Sequence, residues 1–408
     1  MKILKRFAAL ALSVVTIFQA TACANPQTKL AAESLNLEKE VTVKVWYNND
    51  AYTKYLDYVA KQFNLANELV TIEPELIEES NYIQYIYDQS IRSDDTCDVY
   101  LCSSDSVEEA YLLGLMQENN EYDKIYTEDI YGKAGLESSS YNNVLYGYPV
   151  TFETSALVYN KKYANEVSFF SEIPASDLSS LKTSEDLAMT FAYDASRLLT
   201  NYPYVSKYIS FEGDSMDTAN VYINDEEAIK KALTAYQGLK EEYGLETSND
   251  KLTEYQNLFT EGKLAYSIMT ASQIVTLDSK SVDYGVCAIP SLEDGLSSQA
   301  LSTTTMAVVN PYSDDYDCAR AVAKAISYDY ASNITLLTSL ACARGDVSKE
   351  AAIKNLHEIY SESITKPKYA GIDELYAQYE IMIHKIWNGE SVDSAYETFS
   401  KAVEKYTK

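Results

Sequence analysis

Residues 144–160 read VLYGYPVTFETSALVYN, in which two apolar runs flank the polar pair Glu153-Thr154. Short apolar runs that contain β-branched and aromatic residues and are bounded by turn residues are typical of buried β-strands. The stretch therefore predicts a strand, a turn and a second strand. The patterns on its two sides complete the prediction of the fold.

The chain before this stretch alternates between strand and helix patterns. The segment VTVKVWY at 41–47 predicts a strand, and apolar residues at helical spacing over 52–63 predict a helix. A strand at 70–77, a helix at 82–91 and a strand at 98–102 continue the alternation. Because this order is typical of a parallel sheet covered by helices on both faces, it predicts an α/β fold.

The chain after the stretch is richer in helices. Helical patterns occupy 183–199, 224–243 with Asn224 as the N-cap, 254–260, and five segments between 318 and 406. Strand patterns return at 264–269, 284–289 and 303–309. Since the 408 residues exceed what one hydrophobic core usually organises, we expect two lobes that the chain connects more than once.

Charge and residue counts exclude several classes of function. The chain has 33 Lys and Arg against 61 Asp and Glu, a formal net charge of −28 that repels phosphate backbones, so no nucleic-acid partner is expected. With only two histidines, His357 and His384, and no H-E-x-x-H, G-x-S-x-G or phosphate-loop motif, we expect no metal, no cofactor and no enzymatic activity. The enzyme alternative is a glycosidase with paired carboxylates, but 61 acidic residues make a close pair expected by chance.

The N-terminus reads as a bacterial export signal. Basic residues within the first six positions precede an apolar run over 7–18, which is shorter than the roughly 20 residues of a membrane span. The following Ala20-Thr21-Ala22-Cys23 resembles the lipobox of bacterial lipoproteins, in which the cysteine is lipidated. We therefore predict a signal peptide over 1–22 and a lipid anchor at Cys23 with a polar tether over 23–40, so that the lipid alone holds the protein on the extracellular face of the cell membrane. An ordinary secretory signal is the alternative.

Six short motifs, taken in their order and spacing, are similar to those of a known family. They are VKVW at 43–46, CDVY at 97–100, AYLLGLM at 110–116, the stretch 146–161, FTEGKLA at 259–265 and GVCAIP at 285–290. On these motifs the chain, from Val41 to Tyr406, resembles the bacterial extracellular solute-binding proteins of family 1. These are the sugar-type, maltose-binding-protein-like receptors of ABC importers.

The resemblance implies a two-lobed periplasmic-binding-protein type II fold, with discontinuous lobes joined by a hinge. It places the N-lobe at 41–152 plus 266–310 and the C-lobe at 154–264 plus 312–408, with crossings near Phe152-Glu153, Ala265 and Asn310-Pro311. It also implies a monomeric receptor that captures a carbohydrate and delivers it to the permease subunits of an ABC transporter. Among carbohydrates, we expect an oligosaccharide.

Polar and aromatic residues at strand ends are the candidate ligand contacts. Carboxylates and amides hydrogen-bond to sugar hydroxyls, and aromatic rings stack on the apolar face of a pyranose. The resemblance carries sugar contacts to Asn48, Asp50, Asp105 and Glu153, and the candidate cleft aromatics are Tyr47, Tyr52, Phe152 and Tyr266. The alternatives are a turn for Asn48 and Asp50, a helix N-cap for Asp105, and core packing for the aromatic rings.

Several positions depart from the maltose-type pattern. Ala51 and Ser106 stand where those receptors carry basic sugar contacts, and Cys102 and Ser272 stand where they carry tryptophans. The stretch between 160 and 224 is also shorter than is usual in the family. These departures leave open a smaller or differently linked glycan, or another polar solute. They also keep a second function open, that of a surface carbohydrate-binding or sensor-partner protein that does not deliver solute for import.

Overall fold

The computed structural model describes residues 35, 37–92, 96–122, 124–174, 186–212, 220–277, 281–368 and 372–406. The predicted signal peptide, the predicted lipidation site Cys23 and most of the predicted tether lie outside these residues.

The strands in chain order are β1 Val41–Tyr47, β2 Val70–Leu76, β3 Val99–Ser103, β4 Ser140–Tyr141, β5 Val144–Leu145, β6 Tyr148–Glu153, β7 Ser155–Asn160, β8 Met189–Phe191, β9 Ile209–Glu212, β10 Asn220–Ile223, β11 Leu264–Thr270, β12 Tyr284–Cys287, β13 Leu301–Val309, β14 Ala341–Cys342 and β15 Ile364–Thr365. The α-helices are α1 Thr53–Ala66, α2 Tyr82–Arg92, α3 Val107–Leu112, α4 Glu128–Ser138, α5 Leu198–Asn201, α6 Glu226–Tyr243, α7 Asn249–Thr260, α8 Ala271–Val275, α9 Tyr316–Lys324, α10 Ile334–Thr338, α11 Ala351–Ser361, α12 Ile372–Trp387 and α13 Val392–Val403.

The first lobe is built on a seven-stranded sheet. Its strand order is β14-β6-β13-β3-β1-β2, and β15 pairs with the beginning of β13. Strands β1, β2 and β3 are parallel, as predicted, whereas β13 runs antiparallel to both β3 and β6. The carboxyl ends of β1, β3 and β6 and the beginning of β13 therefore meet at one edge of this sheet.

The second lobe is built on a four-stranded sheet with the order β12-β7-β11-β8. Helix α7 packs on β11, and α12 and α13 pack on α6. Helix α6 begins after the N-cap Asp225, one residue later than predicted, and ends at Gly244 in the left-handed conformation that glycine tolerates.

The predicted strand-turn-strand stretch joins the two sheets. Glu153 ends β6 in the seven-stranded sheet and Ser155 begins β7 in the four-stranded sheet, so the chain changes sheets at Thr154. Thr154 is fully buried, and its hydroxyl donates a 2.9 Å hydrogen bond to the Leu301 carbonyl oxygen. This first crossing lies where the sequence places it.

The other predicted crossings are wrong. Strands β11 and β12 both pair with β7, so residues 264–287 belong to the second lobe and not to an N-lobe segment over 266–310. The chain returns to the first sheet between Cys287 and Leu301, and α9 packs on β1, β3 and β13. It crosses again only after β15, before α12, so most of 312–365 belongs to the first lobe.

The predicted helix over 183–199 is also corrected. Within the described residues of this range, Met189–Phe191 forms β8, which pairs in parallel with β11, and α5 begins only at Leu198. The short Met-Thr-Phe run gains ladder hydrogen bonds at the open edge of β11, and this pairing overrides the helical apolar pattern.

Tyrosines fill much of the core. Among the largest fully buried side chains, most are tyrosines. Several of their hydroxyls donate to backbone carbonyl oxygens: Tyr131 to Ser327 at 3.0 Å and Tyr236 to Ala195 at 2.7 Å. The rings of Tyr131 and Tyr236 thus contribute buried apolar area, while their hydroxyls stay paired.

Candidate ligand-binding cleft

The first-lobe cavity is a pocket of about 580 Å³ at the carboxyl ends of β1 and β3. Polar side chains contributed by four segments line it: Asn48, Asn49, Ser80, Asn81, Gln84, Ser103, Ser106, Glu109 and Thr305. Parallel strands end at the same edge of a sheet, and ligands of open α/β sheets bind at this edge. The cavity therefore lies where the strand order predicts a binding site.

Local turn chemistry shapes this cavity. The Asn49 side-chain oxygen accepts a 3.0 Å hydrogen bond from the Ala51 amide, which ends β1 and starts the turn into α1. The Ser103 hydroxyl at the end of β3 accepts a 3.4 Å hydrogen bond from the Asp105 amide. These side chains are short and polar, which suits both a tight turn and contact with a polar ligand.

Glu153 stands at the point where the two lobes meet. Its Oε1 accepts a 2.8 Å hydrogen bond from the Ser272 amide and a second one from the Ser272 hydroxyl, at the beginning of α8 in the second lobe. Burial raises the pKa of the Glu153 carboxyl, and the Ser272 hydrogen bonds and the nearby Arg197 guanidinium offset only part of this effect. A partly desolvated carboxylate held at an interlobe edge is typical of a functional site.

The second-lobe cavity has a volume of about 240 Å³ and lies beside the beginning of α8. Polar residues near the ends of β8 and β11 line it: Asp194, Arg197, Thr200, Ser267, Thr270 and Gln273. Thr270 and Gln273 flank Ser272, the residue that contacts Glu153. Glu153 therefore connects the end of the first sheet to the beginning of α8, and we refer to the two cavities as the first-lobe and second-lobe walls of a candidate cleft.

Asp194 fixes the position of Arg197 in this cavity. Its Oδ2 accepts a 2.8 Å hydrogen bond from Arg197 Nε, and its Oδ1 accepts a 3.0 Å hydrogen bond from the Ser196 amide. Arg197 is also the N-cap residue of α5. Among the described residues that line the two cavities, Arg197 is the one cationic side chain.

The sequence prediction missed both Asp194 and Arg197. The sequence does contain a signal for them, the run Asp-Ala-Ser-Arg at 194–197. An aspartate in such a run commonly bonds to the backbone amide two residues on, which predicts a turn. The prediction of a helix across this region concealed it.

The structure brings some of the predicted contacts to the cleft. Asn48 and Tyr52 both line the first-lobe cavity, and the Tyr52 hydroxyl shares a 2.5 Å hydrogen bond with Thr151. Asp50 is exposed in the turn after β1 but is not among the lining residues. Asp105 lies at the end of β3, with its Oδ2 3.2 Å from Lys366 Nζ.

Three predicted cleft aromatics are corrected to core residues. Tyr47 is 3% exposed, Phe152 2% and Tyr266 5%, and none of the three lines the first-lobe or the second-lobe cavity. Phe152 stacks on Tyr360 with ring centroids 4.0 Å apart, and the Tyr266 hydroxyl donates to the Asn165 carbonyl oxygen at 3.1 Å. On strands that are covered on both faces, a side chain of either parity is buried, so alternation could not identify the cleft side.

The aromatic residues that do line the cavities are also buried. Tyr52, Tyr82, Tyr193 and Tyr255 are each at most 6% exposed. In the part of the chain that the structure describes, the two walls thus offer hydrogen-bonding groups rather than an open aromatic platform.

Two further findings concern the described residues only. The described residues contain no group of three or more His, Cys, Asp or Glu side chains arranged to hold a metal ion. In the same part of the chain, no helix has both the length and the apolar character that crossing a membrane requires.

Comparisons with known proteins identify the family of this chain. A family model described as bacterial extracellular solute-binding protein matches residues 47–326. The galactooligosaccharide-binding protein of Bacillus subtilis (strain 168) is 23% identical over 430 residues, covering 98% of this chain and 97% of that protein.

Solved structures share the fold. A cyclo/maltodextrin-binding protein complexed with maltotetraose has a TM-score of 0.72 at 15% identity, covering 91% of this chain and 98% of that chain. An extracellular solute-binding protein from Staphylococcus aureus in complex with maltose has a TM-score of 0.70 at 17% identity, covering 90% of this chain and 99% of that chain. The predicted two-lobed fold is confirmed.

Proposed function

Because the chain belongs to the bacterial extracellular solute-binding proteins, we propose that it captures an oligosaccharide between its two lobes and delivers it to the permease of an ABC importer. Like its relatives, it is a binding protein and not an enzyme. The observation that carries the proposal is Glu153, which ends the first sheet and bonds to the second lobe with a polar cavity on each side.

The chemistry of the two walls suits a neutral, hydroxyl-rich ligand. Amide and hydroxyl groups on the first-lobe wall can both donate and accept hydrogen bonds, as sugar hydroxyls do. On the second-lobe wall, Arg197 supplies donors and Glu153 supplies an acceptor at the junction. The relatives support this ligand class: one is named for galactooligosaccharides, and the solved structures are described with maltotetraose and maltose.

The mechanism is closure around the ligand without chemical change. A ligand that touches both walls binds the closed form better than the open form and shifts the population towards it. We place the hinge at Thr154, at the segment between β12 and β13, and at the segment between β15 and α12. With the hinge at these segments, each lobe consists of one of the two main sheets and the helices that pack on it.

The cellular context is part of the proposal. Cys23 is the lipid anchor, and the chain after it tethers a monomeric receptor to the outer face of the membrane, beside the permease subunits. Stable anchoring takes more than one acyl chain, which a lipidated N-terminal cysteine provides.

A thermal-shift screen against mono-, di- and oligosaccharides tests the ligand class. A sugar present at 100 times its dissociation constant adds about 2.7 kcal/mol to the free energy of unfolding. We expect oligosaccharides of galactose or glucose to raise the melting temperature. If no carbohydrate does so while another polar solute does, the ligand class is wrong and the family assignment is unaffected.

A further inference from the structure

One charged network connects the lobes outside the strands that cross between them. Lys366 Nζ lies 3.2 Å from Asp105 Oδ2 and 2.7 Å from Asp373 Oδ1. Asp105 belongs to the turn after β3 in the first lobe, and Asp373 lies in the first turn of α12 in the second lobe. Lys366 itself directly follows β15, in the last connection between the lobes.

Strand pairing explains why Lys366 reaches Asp105. Strand β15 pairs with Leu301 and Ser302, and β3 pairs with β13 from Thr305 onwards, so β15 occupies the sheet position just beyond the end of β3. Asp105 follows β3 directly, and its neighbours Ser103 and Ser106 line the first-lobe cavity. The lysine thus meets the carboxylate at the rim of the cleft.

The surroundings make the contact between Lys366 and Asp105 stronger than an ordinary surface ion pair. The Lys366 side chain is 11% exposed and the Asp105 side chain 35%, whereas the Asp373 side chain is 82% exposed. The ammonium group also lies 5.7 Å from the Tyr376 ring centroid on α12. Burial lowers the pKa of Lys366, but the two carboxylates outweigh burial and raise it, so the lysine stays charged. Exposed pairs contribute little, whereas the partly shielded pair of Lys366 and Asp105 is screened less.

We propose that Lys366 is an interlobe latch that holds Asp105 of the first lobe to α12 of the second lobe and limits how far the cleft opens. The latch depends on the two-lobed fold and goes beyond the proposed function, because it does not depend on which solute is bound. It also assigns Asp105 a role other than contact with a ligand.

The test measures lobe separation without ligand. Spin labels are placed on α3, which follows the Asp105 turn, and on α12, through Leu112→Cys and Ile381→Cys, whose native side chains are 69% and 48% exposed. Pulsed electron resonance then gives the distribution of distances between the labels. The cysteines within the described residues are all buried, so they compete little for the label.

In Lys366→Met we expect the distribution to shift to longer distances and to broaden. Asp105→Asn, which keeps the shape of the side chain, should give the same shift, and combining it with Lys366→Met should add nothing further. Lys401→Met is the matched control, because it removes an ion pair of 2.6 Å to Glu397 that lies within the second lobe. It should leave the distribution unchanged.

An unchanged distribution in folded Lys366→Met and in Asp105→Asn would overturn the latch. An equal shift in Lys401→Met would also overturn it, since the effect would then follow from loss of any lysine. Neither result bears on whether the protein binds a carbohydrate.

Discussion

Replacing Glu153 separates its role in binding from its role in packing. Its Oε1 accepts hydrogen bonds from both the amide and the hydroxyl of Ser272, while Oε2 accepts from neither. In Glu153→Gln the shape and a carbonyl acceptor remain and the cost of burying a charge disappears. We therefore expect the free energy of unfolding of the empty protein to change by less than about 1 kcal/mol.

Glu153→Ala should behave differently in the empty protein. It leaves the Ser272 amide at the beginning of α8 without its acceptor, which costs about 1–3 kcal/mol when the group stays buried. For the sugar, loss of a charged acceptor costs about 1.5–3 kcal/mol, or roughly ten- to a hundredfold in affinity. Glu153→Gln should lose less affinity than Glu153→Ala, because it keeps one acceptor.

The assay is calorimetric titration of each folded variant with an oligosaccharide that the screen identifies, alongside thermal unfolding without ligand. Glu261→Gln is the control, since Glu261 is exposed and lies beyond the opposite end of β11 from the cleft. Because the pKa of Glu153 is raised, acidification should begin to lower the wild-type affinity at a higher pH than it would for a glutamate of ordinary pKa. Wild-type affinity in both Glu153 variants would refute this reasoning and move the site elsewhere.

Four further outcomes are expected. Arg197→Met should weaken binding by about tenfold, the cost of one charged hydrogen bond, with little change in the melting temperature; calorimetry measures the first and thermal unfolding the second. Asn48→Ala should weaken binding by roughly 1 kcal/mol in the same titration, whereas wild-type affinity would remove Asn48 from the site. Burial lowers the pKa of His357 to about 4 from 6.5, so between these pH values the unfolded chain binds a proton that the native chain does not. The free energy of unfolding should therefore fall by at most about 3 kcal/mol as the pH is lowered from 6.5 to 4. In urea unfolding, the stability of His357→Gln should depend less on pH than that of the wild type, and an identical dependence would contradict this cause. Cys23→Ser should release the protein into the medium, and a variant that stays on the membrane with unchanged mass would contradict the lipid anchor.

The sequence predicted the α/β class, the parallel opening of the first sheet and the crossing beside Glu153, because these features are encoded locally. Strands 41–47 and 148–153 are continuous apolar or alternating runs with clear breaks after them. The capped helix ending at Gly244 is equally local, since a left-handed residue there favours glycine.

Long-range pairing could not be predicted in the same way. Strand β11 is buried at every position, so its sequence is compatible with either sheet, and only its pairing with β7 assigns it to the second lobe. The same limit explains the misplaced aromatics, since burial on both faces of a sheet removes the alternation that would identify a cleft side. Arg197 and Lys366 become recognisable only when the fold brings them to Glu153 and Asp105.

The central claim is that one cleft between the lobes binds the ligand. Its most direct test is a crystal structure of the protein grown with a galactooligosaccharide or with maltotetraose, whichever stabilises it more. The account predicts a closed molecule in which the sugar lies between the Asn48 and Arg197 walls, with a hydroxyl bonded to Glu153. A sugar bound on an outer face of either lobe, with Glu153 still contacting only Ser272, would contradict it.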